Sequence, residues 1–187
     1  GAPQVDACQK PSNLLSHGRA LMLAFLMALV FVALIIPAVL RDSVTIDEFA
    51  HLPVGLIMQS SHKFDIEPMN PPLGRLFISW FSTADVTAFD PGENWDTWQL
   101  GDQFMHAYAA NYQRQFILPR LGIVSATLVL AALLFAWSWV WLGHKTAVLT
   151  LFFLLFSPAI LAHGHLVTVD LLGTLGFTLT AWATWWL

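Results

Sequence analysis

Thr45-Ile46-Asp47-Glu48-Phe49-Ala50-His51 sets two adjacent carboxylates and an imidazole just beyond a long apolar run. Carboxylates take protons from hydroxyls or hold divalent cations, and a free aspartate is ionised at neutral pH with a pKa of about 3.9. Asp47 is therefore a candidate general base or metal ligand, with Glu48 beside it to orient it or the acceptor. His51 lies four residues after Asp47, a spacing that puts both on one face of a helix and suits a shared cation. An interfacial histidine bonded to the acid is the plainer reading of that pair. The stretch also carries a structural signal: Thr45-x-x-Glu48 fits a capping box, and Asp47 in a first turn suits the helix dipole. The two readings are compatible, because a capped helix is a rigid mount for an acid. Asp170 is the second candidate, set in the apolar run Leu166-Val167-Thr168-Val169-Asp170-Leu171-Leu172. An ionisable residue in such a run marks function by default; the structural alternative is a first-turn acid of the following helix.

Other groups can be assigned to the same chemistry. Arg75, Arg114 and Arg120 suit a lipid phosphate, which guanidinium binds well, and equally suit snorkelling to headgroups. His163 and His165 flank Gly164 and are read either as phosphate or metal contacts or as structural histidines. Glu67-Pro68-Met69-Asn70-Pro71-Pro72 reads as a turn before a capped helix, with Asn70 as N-cap and Pro71 as first helical residue. The prolines would fix the backbone around Glu67, so that it points into a site.

The elements that must hold these residues are those of a membrane protein. Apolar residues make up 57% of the chain and charged residues 11%, against about 25% charged in ordinary soluble domains. No basic patch supports a nucleic-acid partner. One cysteine, Cys8, excludes a disulfide within the chain, and nine tryptophans suit interfacial aromatic belts. A spanning helix needs about 20 mostly apolar residues. The expected fold is all-α and polytopic, with spans over about 20–40, 121–142, 146–162 and 168–187. Residues 1–18 form a cytoplasmic tail, and Gly143-His144-Lys145 closes a tight helical hairpin. Lys10, Arg19 and Lys145 put that tail and the hairpin inside, so the long connection 41–119, with ten of the twelve acids, lies outside. Within it, Leu73, Leu76, Phe77, Trp80 and Phe81 make an apolar helical stripe that predicts an interfacial helix. Residues 47–58 are expected to form a short helix broken or started at Pro53. Residues 85–102 are expected to form an ordered loop, and 104–116 a polar helix. The end at Trp185-Trp186-Leu187 lacks a polar flank and reads as the edge of an N-terminal piece of a longer protein.

Three elements in order resemble one enzyme group: Asp47-Glu48 after the first span, Pro71-Pro72-Leu73 opening an amphipathic helix, and Ser157-Pro158-Ala159-Ile160-Leu161-Ala162-His163-Gly164-His165-Leu166-Val167-Thr168-Val169-Asp170. From Arg19 onward the chain resembles GT-C type polyprenyl-phosphate-dependent glycosyltransferases. The nearest likeness is to bacterial relatives of protein O-mannosyltransferases and of the lipid A aminoarabinose transferase. The resemblance implies a site at the outer face of the inner membrane, with Asp47 as the catalytic carboxylate and Asp170 as a second acid. It implies a sugar on a polyprenyl phosphate as donor and a protein or glycolipid acceptor, with or without a divalent metal cation. Relatives often carry His before Pro-Pro, where this chain has Asn70. The piece by itself is expected to be inactive. A non-catalytic membrane scaffold or lipid-phosphate-binding module is the alternative.

Overall fold

The computed structural model describes residues 16–64, 67, 69–88 and 96–187. They form helices and connections, with no strand among them. The expected tail lies almost wholly outside the described residues, as do 89–95 of the expected loop.

Helix α1 (His17–Arg41) begins where the Ser16 hydroxyl accepts from Arg19 N, and runs the length of the first apolar segment. Helix α2 (Ile46–Ser61) opens on the expected capping box and carries Pro53 inside it, so the helix is neither broken nor started there. It ends at His62, whose left-handed backbone (φ 57°) reverses the chain. Helix α3 (Pro72–Trp80) starts one residue later than expected. Pro71 is the N-cap and Pro72 the first helical residue, because Pro71 stays extended and Asn70 makes no capping bond. Helix α4 (Thr97–Ala107) is capped by Asp96, so residues 97–102 of the expected ordered loop are helical. The expected polar helix 104–116 is divided into the end of α4 and the short α5 (Tyr112–Gln115).

Helix α6 (Ile117–Leu142) and α7 (His144–Leu155) pack as the expected hairpin, joined by Gly143 alone. Its φ of 86° is open to glycine at no steric cost. The expected third span is broken: Ser157 caps a new helix, α8 (Pro158–His163), with Pro158 at its first position. Helix α9 (Asp170–Trp185) closes the chain.

Among the described residues two helical stretches, not four, are long and apolar enough to cross a membrane: His17–Arg41 and Tyr112–Leu142. At 1.5 Å per residue, the 12 residues of α7 reach about 18 Å and the 16 of α9 about 24 Å. Both fall short of a hydrocarbon core of about 30 Å. The four-span expectation failed because hydropathy ran through the Ser157-Pro158 cap. Leu21, Met22, Phe25, Leu26 and Leu29 on α1 are nonetheless exposed, a surface suited to lipid rather than water.

Two apolar cores set the frame. Phe31, Ile35 and Val39 of α1 meet Val124, Ala131, Leu151 and Leu155 of α6 and α7. Leu52 and Met58 of α2 meet Ile78 of α3, Leu100 and Phe104 of α4, and Ile123 and Leu130 of α6. Helix α3 lies on α2 so closely that a side chain at Gly55 would strike the Arg75 carbonyl. The stripe on α3 is real but turns outward in part: Leu73 is 77% and Trp80 80% exposed, while Arg75, Ile78 and Ser79 are buried against the core.

Candidate functional site

Two polar groups sit at the end of the bundle where α1 stops and α2 begins. The first is built on Glu48 and Arg120, both fully buried. The Arg120 Nε and Nη2 each donate to one Glu48 carboxylate oxygen at 2.7 Å. The same carboxylate accepts from Val167 N at 3.0 Å, and from Thr45 N at 3.0 Å and Thr45 Oγ1 at 3.2 Å. The remaining guanidinium donors hold the carbonyls of Val39, Asp42 and Ser43. One ion pair thus ties the end of α1, the start of α2, the start of α6 and the segment before α9. Burial pushes the Glu48 carboxyl up, but Arg120 and the backbone donors outweigh it and hold the group below the ordinary glutamate range.

This pair answers two expectations. Glu48 points into the protein rather than toward Asp47, and Arg120 is spent on Glu48 and three carbonyls rather than left for a lipid phosphate. His165 belongs to the same group. It is buried, its Nε2 lies 3.4 Å from the Asp42 carboxylate, and neither ring nitrogen makes a hydrogen bond of good geometry. We take the His165–Asp42 approach as an electrostatic contact for that reason. Burial and Arg120 push the imidazole below the ordinary histidine range, against the opposing pull of Asp42 and Glu48.

The second group surrounds His51, half-buried on α2 one turn after Asp47. Arg75 Nε donates to His51 Nδ1 at 3.2 Å. Arg75 is 1% exposed and pairs through Nη1 with Glu67, whose other oxygen accepts from Met69 N at 3.1 Å. Glu67 therefore does point inward, and its partner is a protein arginine. Asp47, Asp170 and Glu67 all lie near enough to act on the His51 ring. Burial and then Arg75 push this imidazole below the ordinary histidine range, against those three acids. Asp47 and Asp170 are both exposed. Both acids are thus among the charges that act on the His51 ring.

Beside this group an apolar groove of about 670 Å³ runs between α3 and α9, lined by Leu73, Gly74 and Phe77 on one side and Leu172, Leu175 and Leu179 on the other. Asp170 and Pro71 stand in its wall. Gly74 lets α3 approach Val169, whose Cγ1 would stand 3.0 Å from a Cβ added there.

The metal expectation for Asp47, Asp170 and His51 finds no support. Among the described residues no three His, Cys, Asp or Glu side chains converge to hold a cation, and His51 Nδ1 is already occupied by Arg75. Arg114 and His163 are exposed and belong to neither group. Pro71 and Pro72 keep a structural part shifted by one residue, as N-cap and first helical residue, and Asn70 loses the N-cap expected of it. Asp42 was not foreseen; it follows α1 directly, and no local spacing links it to residue 165. Compared with family models, curated proteins and solved structures, the chain has no match.

Proposed function

We propose that this chain is a membrane module of an inverting GT-C type glycosyltransferase. It moves a sugar from a polyprenyl-phosphate donor to an acceptor hydroxyl at the outer, periplasmic face of the inner membrane. The observation that supports this most is the pairing of exposed Asp47 and Asp170 around His51 with an apolar groove whose wall contains Asp170. An amphiphile with a polar head and a prenyl tail needs those two surfaces side by side. The groove volume lies within the usual range for small-molecule sites, about 300–1,000 Å³.

The acceptor O–H attacks the anomeric carbon while Asp47 takes its proton. The bond from that carbon to the phosphate oxygen breaks, the bond to the acceptor oxygen forms, and polyprenyl phosphate leaves with the electron pair. Asp170 stands in the wall of the adjoining groove. The leaving phosphate is met by the guanidinium of Arg114 and a ring N–H of His163, both exposed. Glu48, Arg120 and His165 take no part in the step; they hold the elements that carry Asp47. No step runs through a metal.

Asp47→Asn in the full-length protein tests the reading. Loss of positioned base catalysis lowers turnover by about 10²–10⁴-fold. Unimpaired transfer rejects the assignment. Polyprenyl-phosphate binding by the wild-type protein with no transfer to any acceptor favours the lipid-binding scaffold instead.

A further inference from the structure

The His51 ring carries information that the transferase reading leaves unused. Its Nδ1 accepts from Arg75 Nε at 3.2 Å. A guanidinium is always a donor, so Nδ1 must present its lone pair, and a neutral ring then carries its one proton on Nε2. Arg75 cannot easily turn away. It is buried, its Nη1 is paired with Glu67, and its carbonyl packs against Gly55 of α2. Glu67 is itself held by Met69 N. The chain Glu67–Arg75–His51 thus fixes the tautomer, with Nδ1 the ring nitrogen engaged by the protein among the described residues and Nε2–H left to other acceptors on this half-buried ring. Around the ring stand three carboxylates, Asp47, Glu67 and Asp170, against the one guanidinium of Arg75. The excess negative charge disfavours a phosphate there. It favours a neutral polyhydroxyl group, whose O–H donors satisfy carboxylates and whose oxygens accept from one N–H.

We propose that His51 is a binding residue of a sugar subsite, in which Nε2–H donates to a hydroxyl oxygen of the transferred sugar while Asp47 and Asp170 bound the same space. Arg75 and Glu67 are its positioning residues, and the lipid phosphate lies outside this cluster. The inference rests on the transferase reading and names the part of the substrate that meets α2.

The test uses the full-length protein in lipid nanodiscs, with polyprenyl-phosphate sugar as substrate and sugar-free polyprenyl phosphate as competitor. His51→Gln keeps an N–H donor near the position of Nε2; His51→Leu removes it. The inference predicts that His51→Leu loses about tenfold in kcat/KM, the worth of one hydrogen bond. His51→Gln recovers most of that loss, and the competitor's inhibition constant is unchanged in both. Nitrogen-15 NMR of the histidine ring reads the tautomer directly: proton on Nε2 in the wild type, a mixture in Arg75→Gln. Equal loss in His51→Leu and His51→Gln assigns a packing role and overturns the inference. A parallel loss of competitor affinity places phosphate at His51 and also overturns it, as does a proton on Nδ1 in the wild type. A wild-type enzyme that transfers sugar normally while His51→Leu is unimpaired defeats the inference alone. A wild-type protein with no transferase activity defeats the underlying reading as well.

Discussion

Glu48→Gln separates holding the fold from doing chemistry. The substitution keeps the shape of the side chain and removes its charge. Each carboxylate oxygen now accepts from Arg120 and from a backbone N–H, that of Val167 on one side and Thr45 on the other. Either orientation of an amide therefore turns an N–H₂ toward existing donors. Arg120, fully buried, is left with a charge and no counter-ion. Breaking one partner of a buried pair costs about 3–5 kcal/mol. For a chain of this size each kcal/mol moves the unfolding midpoint by about 2–4 °C, so the expected drop is about 6–20 °C. Thermal unfolding in detergent, followed by the fluorescence of the nine tryptophans, measures it. Turnover at low temperature, where the variant is still folded, should stay near wild type. A variant with an unchanged midpoint and abolished turnover would refute the argument and return Glu48 to the chemistry.

The remaining predictions concern pH and the groove. His51 and His165 both titrate below the ordinary histidine value in the folded protein, so the native state takes up protons less readily than the unfolded chain. Their contribution is therefore complete above about pH 6.5 and declines as pH falls below it. Glu48 acts in the same direction at lower pH: its contribution is present above the ordinary glutamate range and is lost as pH falls through its lowered folded value. Denaturant melts at pH 7.5, 5.5 and 4 (roughly spanning these ranges) should show steadily lower stability, and a flat profile contradicts the burial of these groups. Gly173 lines the groove, and a Cβ added there has no protein atom within 4 Å. Gly173→Trp should fill the groove, weaken polyprenyl-phosphate binding, and leave the melting midpoint unchanged or higher, since glycine costs a helix about 1 kcal/mol. Unchanged lipid binding would show that the tail lies elsewhere.

What was legible in the sequence was local. The Thr45–Glu48 capping box involves neighbours along one turn, and it forms as the spacing implies. The Gly143 hairpin and the Asp170 helix start are of the same kind. The Ser157-Pro158 break was equally local, yet a hydropathy window averages across it. The pairing of Glu48 with Arg120 joins residues 72 positions apart and left no trace in spacing. Arg120 looked like a headgroup cation only because its partner could not be seen. The stripe on α3 gave the helix but not its facing: Arg75 turns inward because Glu67 and His51 wait there to satisfy it. Helical spacing ties Asp47 to His51, whereas the effect of Asp170 on the same ring is long-range and spacing does not show it.

The central claim is that Asp47 and Asp170 front one water-accessible space on the outer side of the membrane. Single cysteines at these two positions, in a Cys8→Ser background, can be labelled in sealed right-side-out vesicles with a membrane-impermeant maleimide. The account predicts that both thiols react from outside, and that polyprenyl-phosphate sugar protects both. Labelling of one from outside and the other only after the vesicles are opened would contradict it.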